Sequence, residues 1–454
     1  MNLTSPSQYD FLPRFYRLAI INILSNLMVP LSGLISVAFL GHLAEIDSLA
    51  GVALASILFN LVYLTLAFLR MATTGVTAQA VGRDDREAML LVGLRNGLIA
   101  LVLGLALLIV QYPLREVGFA LLNGAPEIKA SGIAYFNARI WGAPAALLNF
   151  VLIGWLVGRE ENGKVLVLSI IGNAANVILD YLFIIQWGWD STGAGISQAF
   201  SQYLMLLVGI VLASRGIEWQ EVRAVASQIR DLSAFKATLT LNKDILTRTF
   251  TEMSVFTIFS NMSAMMGTIL FTQNTLLSQI SHMSVYFTDG LGYAVETLTG
   301  NFKGQGEKEK FIPLVRVSVA SSLLVGFSFA TACVFFPQTL FGLLTNHTEI
   351  TAHIDTYAWW LVFLLGFASA STMLEGYFLG LGEGDIIRNV SLIAAVVAFV
   401  PSAIAAWYFH NNHILWMSVS LFLFAKMALL LVYLAKSFSG DAKTEPVSPA
   451  AVGN

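Results

Sequence analysis

Asp180 closes a short polar stripe, Gly172, Asn173, Asn176 and Asp180, inside a segment that is otherwise apolar. Steps of three and four residues set the two amides and the carboxylate on one face of a helix. A carboxylate in hydrocarbon costs at least a few kcal/mol, so it persists where it has a partner or a task. Binding and releasing a cation or proton is the chemistry this pattern offers; a static clasp between helices is the alternative. A second stripe runs Gln279, His282, Tyr286, Asp289, Tyr293 and Glu296, in steps of three and four. Over roughly 25 Å of helix every member can donate or accept a hydrogen bond. It predicts the wall of a water-filled chamber or a proton path, or else a polar seam between helices. Glu296 is expected near the cytoplasmic edge and solvated, which makes Asp289 the stronger candidate.

Two more acids lie deep in apolar runs, Glu252 and Glu375. Glu252 and Lys426 fall at similar depths, roughly 12–15 Å from the inner face. Burying either alone is costly, so the two are expected to form a structural pair. Arg139 and Lys426 are read as the only deep cations. Met253, Phe256, Met262, Met283 and Phe287 suit a chamber for varied apolar ligands, since thioethers and aromatic faces adapt to many shapes. The same residues also serve as lipid-facing filler. Pro30 interrupts the backbone ladder of the first span and offers a hinge. No phosphate loop, metal cluster or nucleophile triad stands out, so neither a cofactor nor an enzyme activity is expected.

These side chains need a membrane scaffold to hold them. Of 454 residues, 56% are hydrophobic and 12% charged, about half the charged share of a soluble domain; the mean hydropathy is +0.73. Apolar runs of roughly 20 residues recur from end to end, each able to cross a bilayer. They are continuous and lack the alternation of a β-barrel. The reading is an all-α polytopic membrane protein with twelve spans. The first apolar run is long and lacks a small-residue cleavage site, so it stays as a span. A net charge of −3 gives no electrostatic case for nucleic acid, and a single Cys333 excludes an intrachain disulfide.

The longest polar interval, 215–243, divides the chain into an N-terminal lobe (1–214), a cytoplasmic linker and a C-terminal lobe (244–436), with a disordered tail at 437–454. With both termini in the cytoplasm, only Arg115, Lys129 and Arg139 fall on or near the outer side, leaving 22 of the 25 Lys and Arg inside. The halves repeat. Gly82 and Gly304 are 222 positions apart, and so are the segments GWLVG (154–158) and GYFLG (376–380). One offset for both pairs means six helices followed by six in the same orientation, with the substrate path between two lobes. The charges do not follow it: Asp289 corresponds to Ala67, Glu296 to Thr74, Glu375 to Ile153 and Asp180 to Ser402. Acids needed only to hold a lobe together should recur in both, so the asymmetry favours function.

The segments FLRMATTGVTAQAVG (68–82), GAPAALLNFVLIGWLVG (142–158), GNAANVILDYLF (172–183), TDGLGYAVETLTGNFKG (288–304) and LEGYFLG (374–380) resemble the multidrug and toxin extrusion (MATE) family, in its DinF-like branch. That resemblance spans about residues 12 to 436. It implies a V of two six-helix lobes that rock between openings, in which inward proton or sodium flow drives export of cationic or amphipathic small organic compounds. It further implies a bacterial inner-membrane setting, lipid contact and a monomer. By resemblance Asn176 and Asp180 match the N-lobe cation site, with Gln198 nearby, while Asp289 and Glu375 match acids of the branch. One departure matters. Where the family carries an aspartate in its first helix, this chain has Ser36, which cannot carry a proton near neutral pH. A flippase for a lipid-linked precursor is the alternative reading. It would place several Arg or Lys in the chamber to hold a pyrophosphate, and two deep cations argue against it.

Overall fold

The computed structural model describes residues 8–41, 46–122, 125–342 and 354–441, and among these there is no strand. The first half comprises α1 (Leu12–Gly41), α2 (Ile46–Leu66), α3 (Phe68–Gly82), α4 (Arg86–Ile109), α5 (Gln111–Leu121), α6 (Pro126–Arg139), α7 (Ala143–Gly158), α8 (Asn162–Asp180) and α9 (Asp190–Ser214). After a short α10 (Trp219–Ala226), the second half comprises α11 (Leu232–Met265), α12 (Thr268–Gln305) and α13 (Phe311–Phe335). It continues with α14 (Trp360–Leu381), α15 (Gly384–Ala394), α16 (Val400–Phe409) and α17 (Asn412–Asp441). The pairs α2/α3, α6/α7 and α15/α16 each make one bent span.

Ten segments are long and apolar enough to cross a membrane. α11 and α12, at 34 and 38 residues, complete the twelve-helix, two-lobe arrangement and are the polar members of the set. The interval 215–243 is largely helical: it holds α10 and the first turns of α11. Asp231 sets that early start, since its carboxylate accepts from the backbone N–H groups of Ser233 and Ala234 and caps the helix. α17 runs on through 437 to Asp441, and the remainder of the expected tail lies outside the described residues. α1 passes through Pro30 without a break.

The 222-residue repeat is built into the backbone. Gly306 and Gly382 end α12 and α14 in the left-handed region, at φ +78° and +72°, and their counterparts Asp84 and Glu160 adopt φ +55° and +59°. A third pair, Gly188 and His410, does the same. Glycine is the usual residue there because a Cβ is strained at positive φ, so three matched turns show the constraint outlasting the residue type. Close helix approach repeats as well. Gly158 lies against the Thr74 carbonyl and Gly380 against the Glu296 carbonyl, with no room for a Cβ at either.

The two halves exchange their first helices at the end where α1 begins and α17 finishes. Phe11, just before α1, and Phe15, Leu18 and Ala19 of α1 pack into a core made by α12, α13, α14 and α17. Ile245 of α11 packs in turn among Phe68, Leu69, Ala72, Leu147 and Val151 of the first half. α3 and α12 meet between them, where Gly82 and Gly304 face each other. This end is closed.

Candidate functional site

In the first half, three helices converge on Asp180. The Ser36 hydroxyl donates to Asp180 Oδ2 and lies 3.4 Å from Asn176 Oδ1. One turn away, Ser32 donates to Asn173 Oδ1 at 2.6 Å. From α9, Gln198 Nε2 donates to Asn176 Oδ1 at 3.1 Å, while the Asn176 amide donates to Ser197 Oγ at 2.7 Å. Asp180 is 1% exposed, and its Oδ1 has no hydrogen-bond partner among the described residues. A π-helical turn (Tyr181–Gln186) begins directly after it; such turns release backbone groups and recur at functional sites. The five residues singled out here, Asp180, Asn176, Asn173, Ser36 and Gln198, form one connected cluster. Ser32 and Ser197 complete it. Their only sequence signal is spacing, Ser32 one turn before Ser36, and serines in apolar helices are too common for that to single them out.

The second half holds a ring of charge. Lys426 Nζ donates to Glu252 Oε1 and, at 2.6 Å, to Glu375 Oε1. Arg248 donates to both Glu375 oxygens, through Nε at 3.0 Å and Nη2 at 2.5 Å, and its Nη2 lies 2.9 Å from Glu252 Oε2. Two cations and two acids cancel. The Glu252–Lys426 contact expected from depth is present, inside this larger ring. The expectation that Arg139 and Lys426 are the only deep cations is overturned, because Arg248 sits in the ring and Arg70 lies between the lobes. Arg248 lies four residues inside the expected start of its span, a position that sequence pattern alone does not distinguish from a solvated helix end. Arg139 lies over the rings of Phe59, Tyr63 and Tyr135.

The α12 stripe is graded. Gln279 and His282 are exposed, Tyr286, Asp289 and Tyr293 are half-buried, and Glu296 is 1% exposed. Glu296 is therefore not a solvated edge residue: it accepts from the Gly75 backbone N–H at 3.1 Å and seals α12 to α3. Gln79 adds a bond to the Gly380 carbonyl at 2.8 Å. The stripe thus runs from exposed to buried along α12, toward the end where α3 and α12 meet. Near that end the Arg70 guanidinium lies 3.7 Å above the Tyr293 ring.

The apolar candidates do not make one wall. Met253 touches Thr65 of α2 at 3.5 Å, and Phe256 and Met283 are exposed. Met262 packs into the core around Phe259 and Trp416, and the Phe287 ring lies 5.5 Å from that of Phe329, tilted by 56°, within its own half.

The sequence model of the MatE family matches residues 22–182 and again 245–404, once in each half. The chain belongs to the MatE family. It is 28% identical to the DNA damage-inducible protein F of Escherichia coli, with 90% of this chain and 88% of that protein aligned. A probable multidrug resistance protein NorM from Thermotoga maritima is 23% identical over 72% of this chain and 70% of its own length. Among solved structures, a MOP superfamily transporter from Pyrococcus furiosus, described as having a binding pocket of reversed polarity, superposes with a TM-score of 0.82. It covers 95% of this chain and 96% of its own at 17% identity, a likeness of fold. This MatE protein is accordingly a multi-pass membrane transporter.

Proposed function

We propose that this MatE transporter is an antiporter that exports amphipathic or cationic small organic compounds in exchange for protons or sodium. The observation that carries this is the half-satisfied carboxylate of Asp180. One oxygen is held by Ser36, and the other is buried without a bond, ready for a proton or a cation. Asn173, Asn176 and Gln198 fix the stripe, and Ser36 supplies a neutral oxygen where a second charge would bind a hard cation more tightly. The half-buried members of the α12 stripe, Tyr286, Asp289 and Tyr293, line the passage, with Met253, Phe256 and Met283 as separate apolar contacts. Loading and unloading Asp180 tilts the lobes about the α3–α12 seam, and Pro30 lets α1 follow. The protein works as a monomer in a bacterial inner membrane, termini in the cytoplasm. In proteoliposomes, dye efflux should respond to an imposed proton or sodium gradient, and Asp180→Asn should end it. Equal efflux with both gradients collapsed would refute antiport. The flippase alternative gains Arg70 and Arg248, but Arg248 is committed to Glu375 and Glu252. Arg70, whose charge acts on Asp289 and Glu296, falls short by itself of what a pyrophosphate head group needs.

A further inference from the structure

Two apolar cavities lie against the spans, and no member of the Asp180 cluster or of the charge ring lines either. The repeat relates them. Gly97, Leu148 and Leu152 line the first, about 300 Å³ between α4, α7, α9 and α10. Their counterparts at the 222 offset, Val319, Ala370 and Leu374, line the second, about 400 Å³ between α13, α14 and α17. Most of the apolar stretch of α4 and of α9 is left unburied by protein. The first cavity also ends in a polar rim. Arg86, Leu90, Gly93 and Gly97 follow one another along α4 in steps of four, three and four, so Arg86 prolongs the face that lines the cavity. Its Nη2 donates to the Gly216 carbonyl at 2.9 Å and to Glu221 Oε2 at 3.1 Å, and these are its only hydrogen bonds among the described residues. The side chain is still 55% exposed. A second guanidinium, Arg159, lies 4.2 Å from the ring of Trp155, which lines the cavity, and the charge of Arg86 acts on it. Glu221, Glu161 and Lys164 complete the ion pairs of this rim. α10 closes it: Val225 is buried in the core beneath, while Trp219, also lining the cavity, is 71% exposed. An amphipathic helix with an outward tryptophan suits the membrane interface.

We propose that the first cavity is a phospholipid site, with one acyl chain lying between α4, α7 and α9 and the phosphate held at Arg86. A hydrocarbon chain matches a groove whose walls are almost wholly apolar and which opens on membrane spans. A guanidinium matches phosphate oxygens, and basic rims between spans are where lipid head groups dock. The Gly216 carbonyl and Glu221 hold Arg86 by Nη2 and leave Nε and Nη1 to the lipid. Trp219 marks the head-group level. The site stands apart from the exporter reading, since Asp180 takes no part in it.

The test uses the full-length protein in phosphatidylcholine liposomes containing a trace of phosphatidylglycerol with a diazirine midway along one acyl chain. After illumination, adducts are mapped by peptide mass spectrometry. They should concentrate on Leu94, Leu152 and Ile210, well above the equally apolar Leu324 of α13, which is 72% exposed. Added phosphatidylglycerol should displace the label, and diacylglycerol of the same chains, which lacks the phosphate, should need about tenfold more, the scale of one charge-assisted hydrogen bond. Arg86→Gln should erase that difference. Gly97→Phe should empty the groove of label, because a Cβ there meets nothing within 4 Å and the side chain fills the cavity instead. Adducts spread evenly over the spans, equal displacement by the two competitors in the wild type, or full labelling of Gly97→Phe would each overturn the proposal. Groove peptides cross-linked to a second copy would overturn it in favour of an interface between copies. If Arg86→Gln is not monodisperse, the two competitors on the wild type decide by themselves.

Discussion

The halves share a backbone and differ in how they hold buried polarity. At equivalent places in α1 and α11 stand Asn22 and Asp244. Asn22 accepts a bond from Asn162 at 2.6 Å, and Asp244 accepts an ion pair from Arg388. Four residues on, Asn26 of α1 faces the Tyr286 carbonyl at 3.4 Å, while its counterpart Arg248 anchors the charge ring. The first half thus buries one acid among amides and hydroxyls, with an oxygen to spare. The second closes Glu252 and Glu375 against Arg248 and Lys426 in one ring, with nothing to spare. The lone acid can change its charge state at moderate cost, because its neighbours are neutral. The ring resists change, since removing any one member leaves a buried charge unopposed. The division of labour is a mobile ion in the first half and a fixed scaffold in the second. Position fits it: Ser36 corresponds to position 258, ten residues beyond Arg248, so the Asp180 cluster sits roughly 15 Å farther from the closed end.

The largest effect expected is on transport. Asp180→Asn should abolish gradient-driven efflux while membrane abundance, measured by immunoblot, holds. Retained efflux would move the mobile ion elsewhere and break the contrast between halves. Next comes Lys426→Ala, which should destabilise the protein by about 3–5 kcal/mol, read as a lower melting temperature in detergent. Lys426→Met combined with Glu252→Gln should recover much of that loss, and a Lys426→Ala protein as stable as wild type would show that the ring is not a scaffold. Ser36→Asp should sharpen the contrast by adding a second carboxylate beside Asp180, so that sodium stimulates efflux at lower concentration. No change in the sodium response would mean that position 36 does not face the ion. The smallest effect concerns Asp231 at the junction of the halves. The Ser233 hydroxyl, then the backbone N–H groups of Ala234 and Ser233, hold its carboxyl below the usual range. A lowered folded value means that the cap contributes at neutral pH and is lost as pH falls through it. Asp231→Ala should therefore lower the melting temperature slightly near pH 7, with the difference vanishing in acid.

Much of this was legible in the chain. Hydropathy sufficed for the membrane class, because backbone in lipid must satisfy itself in helices. A single offset carried the repeat, because matched turns and glycine contacts need matched residues. The stripes on α8 and α12 were readable because one helix at 3.6 residues per turn fixes which side chains share a face. What the sequence could not supply were contacts between helices distant along the chain. Ser32 and Ser197 joined the Asp180 cluster, Gly75 claimed Glu296, and Arg248 and Arg70 entered the interior only once α11 and α3 were docked. A charge near a helix end reads as solvated until packing shows what covers it. Sequence alone determined the spans, their repetition and the faces they present; tertiary structure decided which charges are paired and which stay open, because pairing depends on the few ångströms between helices that no one helix encodes.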